Sequence, residues 1–191
     1  MPTMIAARAA MRALAFALLL GIAATAGAQG KNVRKPPAAA PAKVEPAPIP
    51  ANLNGMANAA AQAGVRTCLP RIDQVTTFLA SNSQSGAMLF APPQDPDRGL
   101  TSYSLEVLAS NALSYAAADF TAVGQSCAAV YESVTYWEST CAQVARAIFP
   151  NFPLANPLRQ FISVLDGGAQ VKVFLMPAGS NCVSIKKEIV Y

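Results

Sequence analysis

Apolar residues recur at steps of three and four along three segments of the chain, and this spacing predicts three amphipathic helices. In the first segment, residues 65–79, Pro70 leaves two alternatives. Either Thr67 caps a helix that carries Pro70 in its first turn, or a longer alanine-rich helix from Met56 is kinked at the proline. The apolar positions of this segment are Val65, Cys68, Leu69, Ile72, Val75 and Leu79.

The other two helices are predicted in the second half of the chain. One begins around Thr140 and ends at Pro150. The next has Asn156 as its cap, Pro157 at its first position and Gly167 just beyond its end. Their apolar positions are Cys141, Val144, Ala145 and Ile148 in the first, and Leu158, Phe161, Ile162 and Leu165 in the second.

From residue 100 the apolar spacing changes to two, which predicts a strand with one solvated face. Its two faces carry Thr101, Tyr103, Leu105, Val107 and Ala109 on one side, and Ser102, Ser104, Glu106 and Ser110 on the other. Further strands are predicted at residues 87–91, 112–123, 127–137, 170–176 and 183–190, the last two forming a hairpin. Residues 112–123 are ambiguous because alanine favours helices, but Tyr115 and Phe120 favour a strand.

The order of these elements predicts an α+β domain. We expect a mostly antiparallel sheet of five or six strands packed against three helices and stabilised by disulfides. In the strand at residues 127–137, Tyr131, Thr135 and Trp137 share one face. This row is a binding surface if it is exposed and core if it faces the helices, and core is the favoured interpretation.

Two segments at the start of the chain are predicted to lie outside this domain. Residues 1–28 are typical of a bacterial signal peptide, with Arg8 and Arg12 before an apolar run and small residues before a cleavage site at Gln29. Residues 29–54 form a disordered linker rich in proline and alanine. The linker is interpreted as a spacer, with tethering to an anionic envelope polymer as the alternative. The folded domain is therefore predicted at residues 55–191, with no transmembrane segment once the signal is removed.

Charge and composition exclude several classes of function. The chain has a formal charge of +4, but from residue 55 onward there are eight basic and nine acidic residues, a formal charge of −1. A near-neutral domain gives no support for nucleic-acid binding. The chain also lacks histidine, which excludes nucleophile–histidine pairs and histidine-based zinc sites. No phosphate loop, dinucleotide fingerprint or calcium loop is present, so we predict no cofactor and no metal.

The four cysteines, an even number in an exported chain, predict two disulfides. Cys127–Cys141 is the least favourable pair, because the predicted strand between these residues separates them by about 30 Å. An antiparallel pair of later helices would give Cys127–Cys182 with Cys68–Cys141. If those helices instead form one crossover, Cys68–Cys127 and Cys141–Cys182 follow. The first pairing is slightly preferred.

A few polar residues are candidates for chemistry. Asp119, Glu132 and Glu138 lie on predicted strands or near their ends, where paired carboxylates hydrolyse glycosides without histidine. Nothing in their spacing requires such a geometry. The run Lys186-Lys187-Glu188 is either a binding patch or a charged strand that discourages sheet-to-sheet pairing, and the second interpretation is favoured. Asp166 is interpreted as a residue of a helix end rather than a metal ligand.

These observations favour an exported, non-enzymatic binding or envelope-accessory protein, such as an inhibitor, an immunity-type protein or an assembly factor. Its expected partner is a protein or an envelope polymer, in the periplasm or outside the cell. The alternative is a small secreted hydrolase that uses paired carboxylates. A flat apolar patch or an exposed sheet edge would favour the binding protein, and a concave pocket lined by paired acids would favour the enzyme.

Overall fold

The computed structural model describes residues 48–81, 83–109 and 112–191. The predicted signal peptide and most of the predicted linker lie outside these residues. Two helices begin the described part, α1 (Gly55–Gln62) and α2 (Leu69–Ala80). They are followed by β1 (Gln84–Phe90), β2 (Thr101–Ala109), β3 (Ala112–Val123), β4 (Ser126–Trp137), α3 (Cys141–Ile148), β5 (Ser163–Asp166), β6 (Val171–Ala178) and β7 (Asn181–Val190).

The strands form one antiparallel sheet in the order β1-β2-β3-β4-β7-β6-β5. The predicted α+β class and the two disulfides are confirmed. The described residues contain three helices, as many as predicted, but only α2 and α3 match predicted helices, and α1 is a separate helix. The predicted strand count of five or six is wrong, because the sheet has seven strands. The additional strand is β5, which comes from a segment predicted to be helical.

All three helices lie on the same side of the sheet. The helices α1 and α2 bury residues such as Ile72 against Tyr103, Phe120 and Ala129 of the sheet. The helix α3 packs over the other half, where Val144 meets Val173, Leu175 and Cys182. Register places Trp137 of β4 opposite Cys182 of β7, so both packed regions belong to one surface of the sheet, which we call the helix side. Side chains of alternate residues point to the opposite surface, which we call the open face.

The prediction of a helix from Asn156 to Gly167 is wrong. Residues 153–162 are irregular, and β5 then pairs with β6 through Val164 opposite Phe174 and Leu165 opposite Val173. Strand β6 carries apolar side chains on both surfaces of the sheet. When β5 pairs with it, Val164 is buried on one surface and Leu165 on the other. A helix offers the two residues no such arrangement, so the tertiary pairing overrides the local helical spacing.

The region around Pro70 contains two separate helices rather than one kinked helix. The chain leaves α1 through Gly64, whose positive φ of 98° is readily adopted by glycine. Pro70 lies in the first turn of α2, as one alternative predicted, but the N-cap position is Cys68 and not Thr67. Thr67 is instead held by Asp97, which accepts hydrogen bonds from its N–H at 2.6 Å and its hydroxyl at 3.0 Å.

The disulfides are Cys68–Cys127 and Cys141–Cys182, so the slightly preferred pairing is wrong and the alternative pairing is correct. The expected absence of a Cys127–Cys141 bond is confirmed, since β4 separates these residues. The reason for the pairing is strand adjacency and not a helical crossover. Because β7 pairs directly with β4, Cys182 lies beside Trp137 at the end of β4 that leads into α3.

Candidate functional site

The open face is a broad surface that no described helix covers, although Val164 is buried at its β5 end, where the loop between α3 and β5 lies close. Strand register assigns its side chains to rows that run across the sheet, one residue from each strand. Two adjacent rows are largely apolar, and we call them the apolar rows. The first contains Leu108, Leu113, Tyr136, Val183 and Met176. The second contains Tyr115, Val134, Ile185, Phe174 and Val164, with the carboxylate of Glu106 opposite Tyr115 at its β2 end.

Many side chains of the apolar rows are accessible although they are large. Leu113 is 57% exposed, and Leu108, Tyr115 and Tyr136 are each close to half exposed. Leu113, Tyr115 and Tyr136 border a shallow depression of about 410 Å³ with Val134 and Val183. Scattered exposed apolar residues are common on protein surfaces, but a continuous group across five strands is a feature of interaction sites.

The loop between α3 and β5 extends this apolar surface at one side of the sheet. Its Leu158 and Phe161 are 66% and 74% exposed, respectively. With Ile162 they surround a cavity of about 510 Å³ that reaches Met176 of the first apolar row. The loop is anchored along β5 by hydrogen bonds that join Ala155 to Val164 and Asp166 to Pro153.

A row of ionised side chains borders the apolar rows. We call it the charged row, and its members lie side by side in the sheet: Glu132, Lys187, Lys172 and Asp166. Lys187 pairs with Glu132 at 3.4 Å, and Lys172 pairs with Asp166 at 2.8 Å. The two lysines are adjacent, and the strand beyond each of them supplies a carboxylate that neutralises it. The row as a whole therefore carries no net charge.

Strand β7 directs most of its branched aliphatic side chains to the open face rather than to the helices. Its residues Val183, Ile185 and Ile189 point to the open face. Its helix-side residues include Ser184, Lys186 and Glu188. An antiparallel strand with one solvated face normally directs its apolar residues to the core and its polar residues to water. In β7 the arrangement is mixed: Cys182 and Val190 also face the helices and Lys187 lies on the open face, but three of the four branched aliphatic side chains of the strand point away from the core.

The polar residues of β7 form a cluster on the helix side with Tyr131 of β4 and Phe78 of α2. The Tyr131 hydroxyl donates to Glu188 Oε2 at 2.5 Å and accepts from Lys186 Nζ at 2.8 Å. Lys186 also pairs with Glu188 at 2.9 Å and lies 5.3 Å from the ring centres of both Phe78 and Tyr131. The members satisfy one another, so this cluster is a structural link between the sheet and α2.

Protonation in this cluster follows from its contacts. Burial raises the pKa of Tyr131, and the hydrogen bond to Glu188 raises it further, so its hydroxyl remains a donor. For Glu188, burial acts to raise the pKa, but the hydrogen bonds from Tyr131 and Lys186 outweigh it and the pKa is lowered. Lys186 and Glu188 face the helices, whereas Lys187 lies on the open face. The run Lys186-Lys187-Glu188 is thus divided between the two surfaces of the sheet and is not one patch.

The aromatic row predicted on β4 faces the helices. Tyr131 and Thr135 are buried, and Trp137 donates its indole N–H to Ser184 Oγ at 2.8 Å within the core beneath α3. The exposed aromatic residue of β4 is Tyr136, on the opposite surface. Leu108, Leu113 and Tyr115 were not predicted as site residues, although apolar residues on both surfaces of successive strands were a signal that could have indicated them.

The candidate carboxylates do not meet in a pocket. Asp119 and Glu132 share the open face on neighbouring strands, and Glu132 is engaged by Lys187, whereas Glu138 lies in the loop after β4. Among four surface cavities in the described part of the chain, Glu106 is the one lining carboxylate. Asp166 belongs to a strand and not to a helix end. Its hydrogen bonds with Lys172 and with the N–H of Gly168 lower its pKa.

Comparisons with family models, curated proteins and solved structures find no match to this chain. Residues 48–81, 83–109 and 112–191 contain no group of three or more acidic, cysteine or histidine side chains that could together hold a metal ion. The helices of the same residues are all too short or too polar to cross a membrane.

Proposed function

We propose that this protein is an exported, non-enzymatic binding protein that docks a partner protein on its open face. The observation that carries the proposal is the orientation of β7, whose Val183, Ile185 and Ile189 point away from the helices. Sheet surfaces with this composition are normally buried. A partner that covers the apolar rows removes this surface from water.

The chemistry of the open face favours a protein over a polysaccharide or a nucleic acid. Leucine, valine, isoleucine, phenylalanine and methionine contribute most of the apolar rows, and these residues bind by burial rather than by hydrogen bonding. The charged row is neutral and internally paired, so it supplies a polar rim and no strong attraction for a polyanion. The expected partner surface is therefore apolar at its centre and mixed in charge at its border.

The disulfides support an oxidising compartment as the place of action. Both bridges link a helix to the sheet, and structural disulfides of this kind persist in the periplasm or outside the cell. Together with the predicted signal peptide, this supports export before the partner is met.

The test is capture of the partner through a defined position. A photo-reactive phenylalanine analogue at Leu113, in the protein expressed in its native host, should crosslink to a specific partner in the exported fraction. Capture of this partner by affinity-tagged protein should then be lost in Leu113→Lys and Tyr136→Lys, since both substitutions place a charge in the apolar rows.

The matched control is Ile148→Lys, which introduces the same charge at an exposed apolar residue of α3 on the helix side. It should capture the partner as well as the unmodified protein does. Circular dichroism and thermal melting should show that all three variants are folded. Equal capture by open-face and helix-side variants, or crosslinking from Ile148 instead of Leu113, would contradict the proposal.

A further inference from the structure

The two edges of the sheet are protected very differently. The edge strand β5 has only four residues, and the preceding loop runs beside it with Leu154 bridged to Leu165. Short edge strands and covering loops are devices that prevent pairing with another chain. This edge is therefore closed.

The other edge, β1, has none of these protections. It is seven residues long and contains neither a charged residue nor a proline. Six of its residues are exposed, including Met88 at 61%. On one side it pairs with β2, and no strand of the described residues pairs with the other side. A long, uncharged edge of this type presents free N–H and C=O groups to any strand that fits it.

We propose that β1 pairs antiparallel with β1 of a second copy of this chain, which joins two sheets into one of fourteen strands. An antiparallel contact of a strand with itself has twofold symmetry and closes at two copies. This pairing goes beyond the proposed function, because the open faces of both copies stay accessible to a partner and form one continuous surface.

The side chains of β1 fit together when two copies of the strand pair in opposite directions. When the twofold axis passes by Ala87, the central residue of the strand, Met88 of one copy lies opposite Gly86 of the other. No atom lies within 4 Å of the position where Gly86 would carry a Cβ atom, so the methionine has room. The pairing brings no like charges together, since the strand has none.

A second copy fits this edge better than a free peptide does. Peptides that add a strand to a sheet gain specificity from pockets that receive alternate side chains. Four surface cavities in the described part of the chain lie elsewhere, and none of these four is bordered by a residue of β1. Main-chain hydrogen bonds and the Met88–Gly86 fit are what the edge offers, and both are supplied by a second β1.

Sedimentation equilibrium of the exported protein tests the state of association. The weight-average mass should rise from one protomer toward two with concentration. Met88→Lys should remain at one protomer over the same range, because it brings two positive charges together near the axis. Leu113→Lys lies two strands inside the edge and should associate like the unmodified protein.

Cysteine crosslinking tests the register, since all four native cysteines are paired. In Ala87→Cys the two new thiols lie opposite each other, at the 4.5–5.5 Å Cα separation typical of antiparallel neighbours, which a disulfide can span. Oxidation should therefore give a covalent dimer. In Gln84→Cys, the matched control, the thiols are about 20 Å apart and the protein should stay uncrosslinked.

A protein that remains one protomer at every concentration and does not crosslink through Ala87→Cys overturns the proposal. So does association that Leu113→Lys abolishes and Met88→Lys leaves intact, which would place the contact on the open face. Because the partner capture described above depends on Leu113 and this association depends on Met88, failure of one proposal is distinguishable from failure of the other.

Discussion

At the scale of single residues, Asp97 makes a set of hydrogen bonds to distant residues that the sequence did not reveal. Its carboxylate accepts hydrogen bonds from the N–H of Arg66 at 2.7 Å and from the N–H and hydroxyl of Thr67. These groups precede α2 and the disulfide at Cys68. Burial acts to raise the pKa of Asp97, but the hydrogen bonds from Thr67 and Arg66 outweigh it, and the pKa is lowered. One side chain thus holds the loop before β2 against the start of α2.

We expect Asp97→Ala to lower the free energy of unfolding by about 1–3 kcal/mol, because two backbone N–H groups lose a charged acceptor. Urea unfolding followed by circular dichroism measures the change. Asp95→Asn, two residues earlier in the same loop, is the matched control: it removes the charge that pairs with the exposed Arg98, keeps a residue type that tolerates the positive φ of 49° at this position, and should cost much less. Equal losses in the two variants would contradict the role given to Asp97.

A second residue-scale prediction concerns the acid side of the pH range. The pKa of Glu188 is lower in the folded protein than in the unfolded chain, so the unfolded chain takes up the proton first as the pH falls. The stabilisation is complete above the unfolded pKa of about 4.3 and is lost as the pH falls through the folded value. In Glu188→Gln the stability should therefore fall less steeply between about pH 5 and pH 3 than in the unmodified protein.

The variant Tyr131→Phe is compared in the same pH series. It removes one of the hydrogen bonds that lower the pKa of Glu188 and leaves the carboxylate in place, so its pH profile should lie between the other two. Chemical unfolding at a series of pH values gives all three profiles. Parallel profiles would show that the contacts of Glu188 do not differ between the folded and unfolded states.

At the scale of elements, the two disulfides attach the helices to the sheet. Cys68–Cys127 joins the start of α2 to the start of β4, and Cys141–Cys182 joins the start of α3 to the start of β7. They close chain segments of 59 and 41 residues. In the chain-entropy model, loops of these lengths contribute nearly the same stabilisation, roughly 4 kcal/mol each.

We therefore expect the double variants Cys68→Ala/Cys127→Ala and Cys141→Ala/Cys182→Ala to lose similar stability, each within about 2–5 kcal/mol. Denaturant unfolding measures the two losses side by side. Peptide mapping without reduction should recover the two native bridges, with Cys127 never joined to Cys141. Recovery of a Cys68–Cys141 or Cys127–Cys182 peptide would contradict the adjacency of β4 and β7.

At the scale of the whole molecule, the helices cover one surface of the sheet and leave the other to solvent. Under the proposed function, a partner on the open face completes a second layer over this sheet. The predicted signal peptide remains a prediction.

The mature protein is expected to begin at Gln29, because small residues at Ala26 and Ala28 precede that position after an apolar run. Intact-mass measurement of protein recovered from its native host determines the N-terminus. A species that retains residues 1–28 would show that the segment is not cleaved and would weaken the assignment to an exported fraction.

Local patterns were sufficient for most individual elements. The alternation after residue 100 predicted β2, because a half-buried strand must repeat every two residues. The steps of three and four around Ile72 and Val144 predicted α2 and α3 for the equivalent helical reason. The alanine-rich residues 112–123 were predicted correctly as a strand from Tyr115 and Phe120, and the packing explains the alanines: Ala116 and Ala118 are buried beneath the helices.

The sequence by itself determined the fold class, the cysteine oxidation state and the absence of histidine chemistry, since each follows from composition or from contacts within a few residues. The tertiary structure decided the rest. Residues 163–166 became β5 because β6 offered a partner for both of their apolar surfaces, and Cys182 met Cys141 because β7 lies beside β4. The open face has the same origin. Which side of β7 meets the helices depends on strand order and register, and these are fixed by contacts between residues distant in the chain.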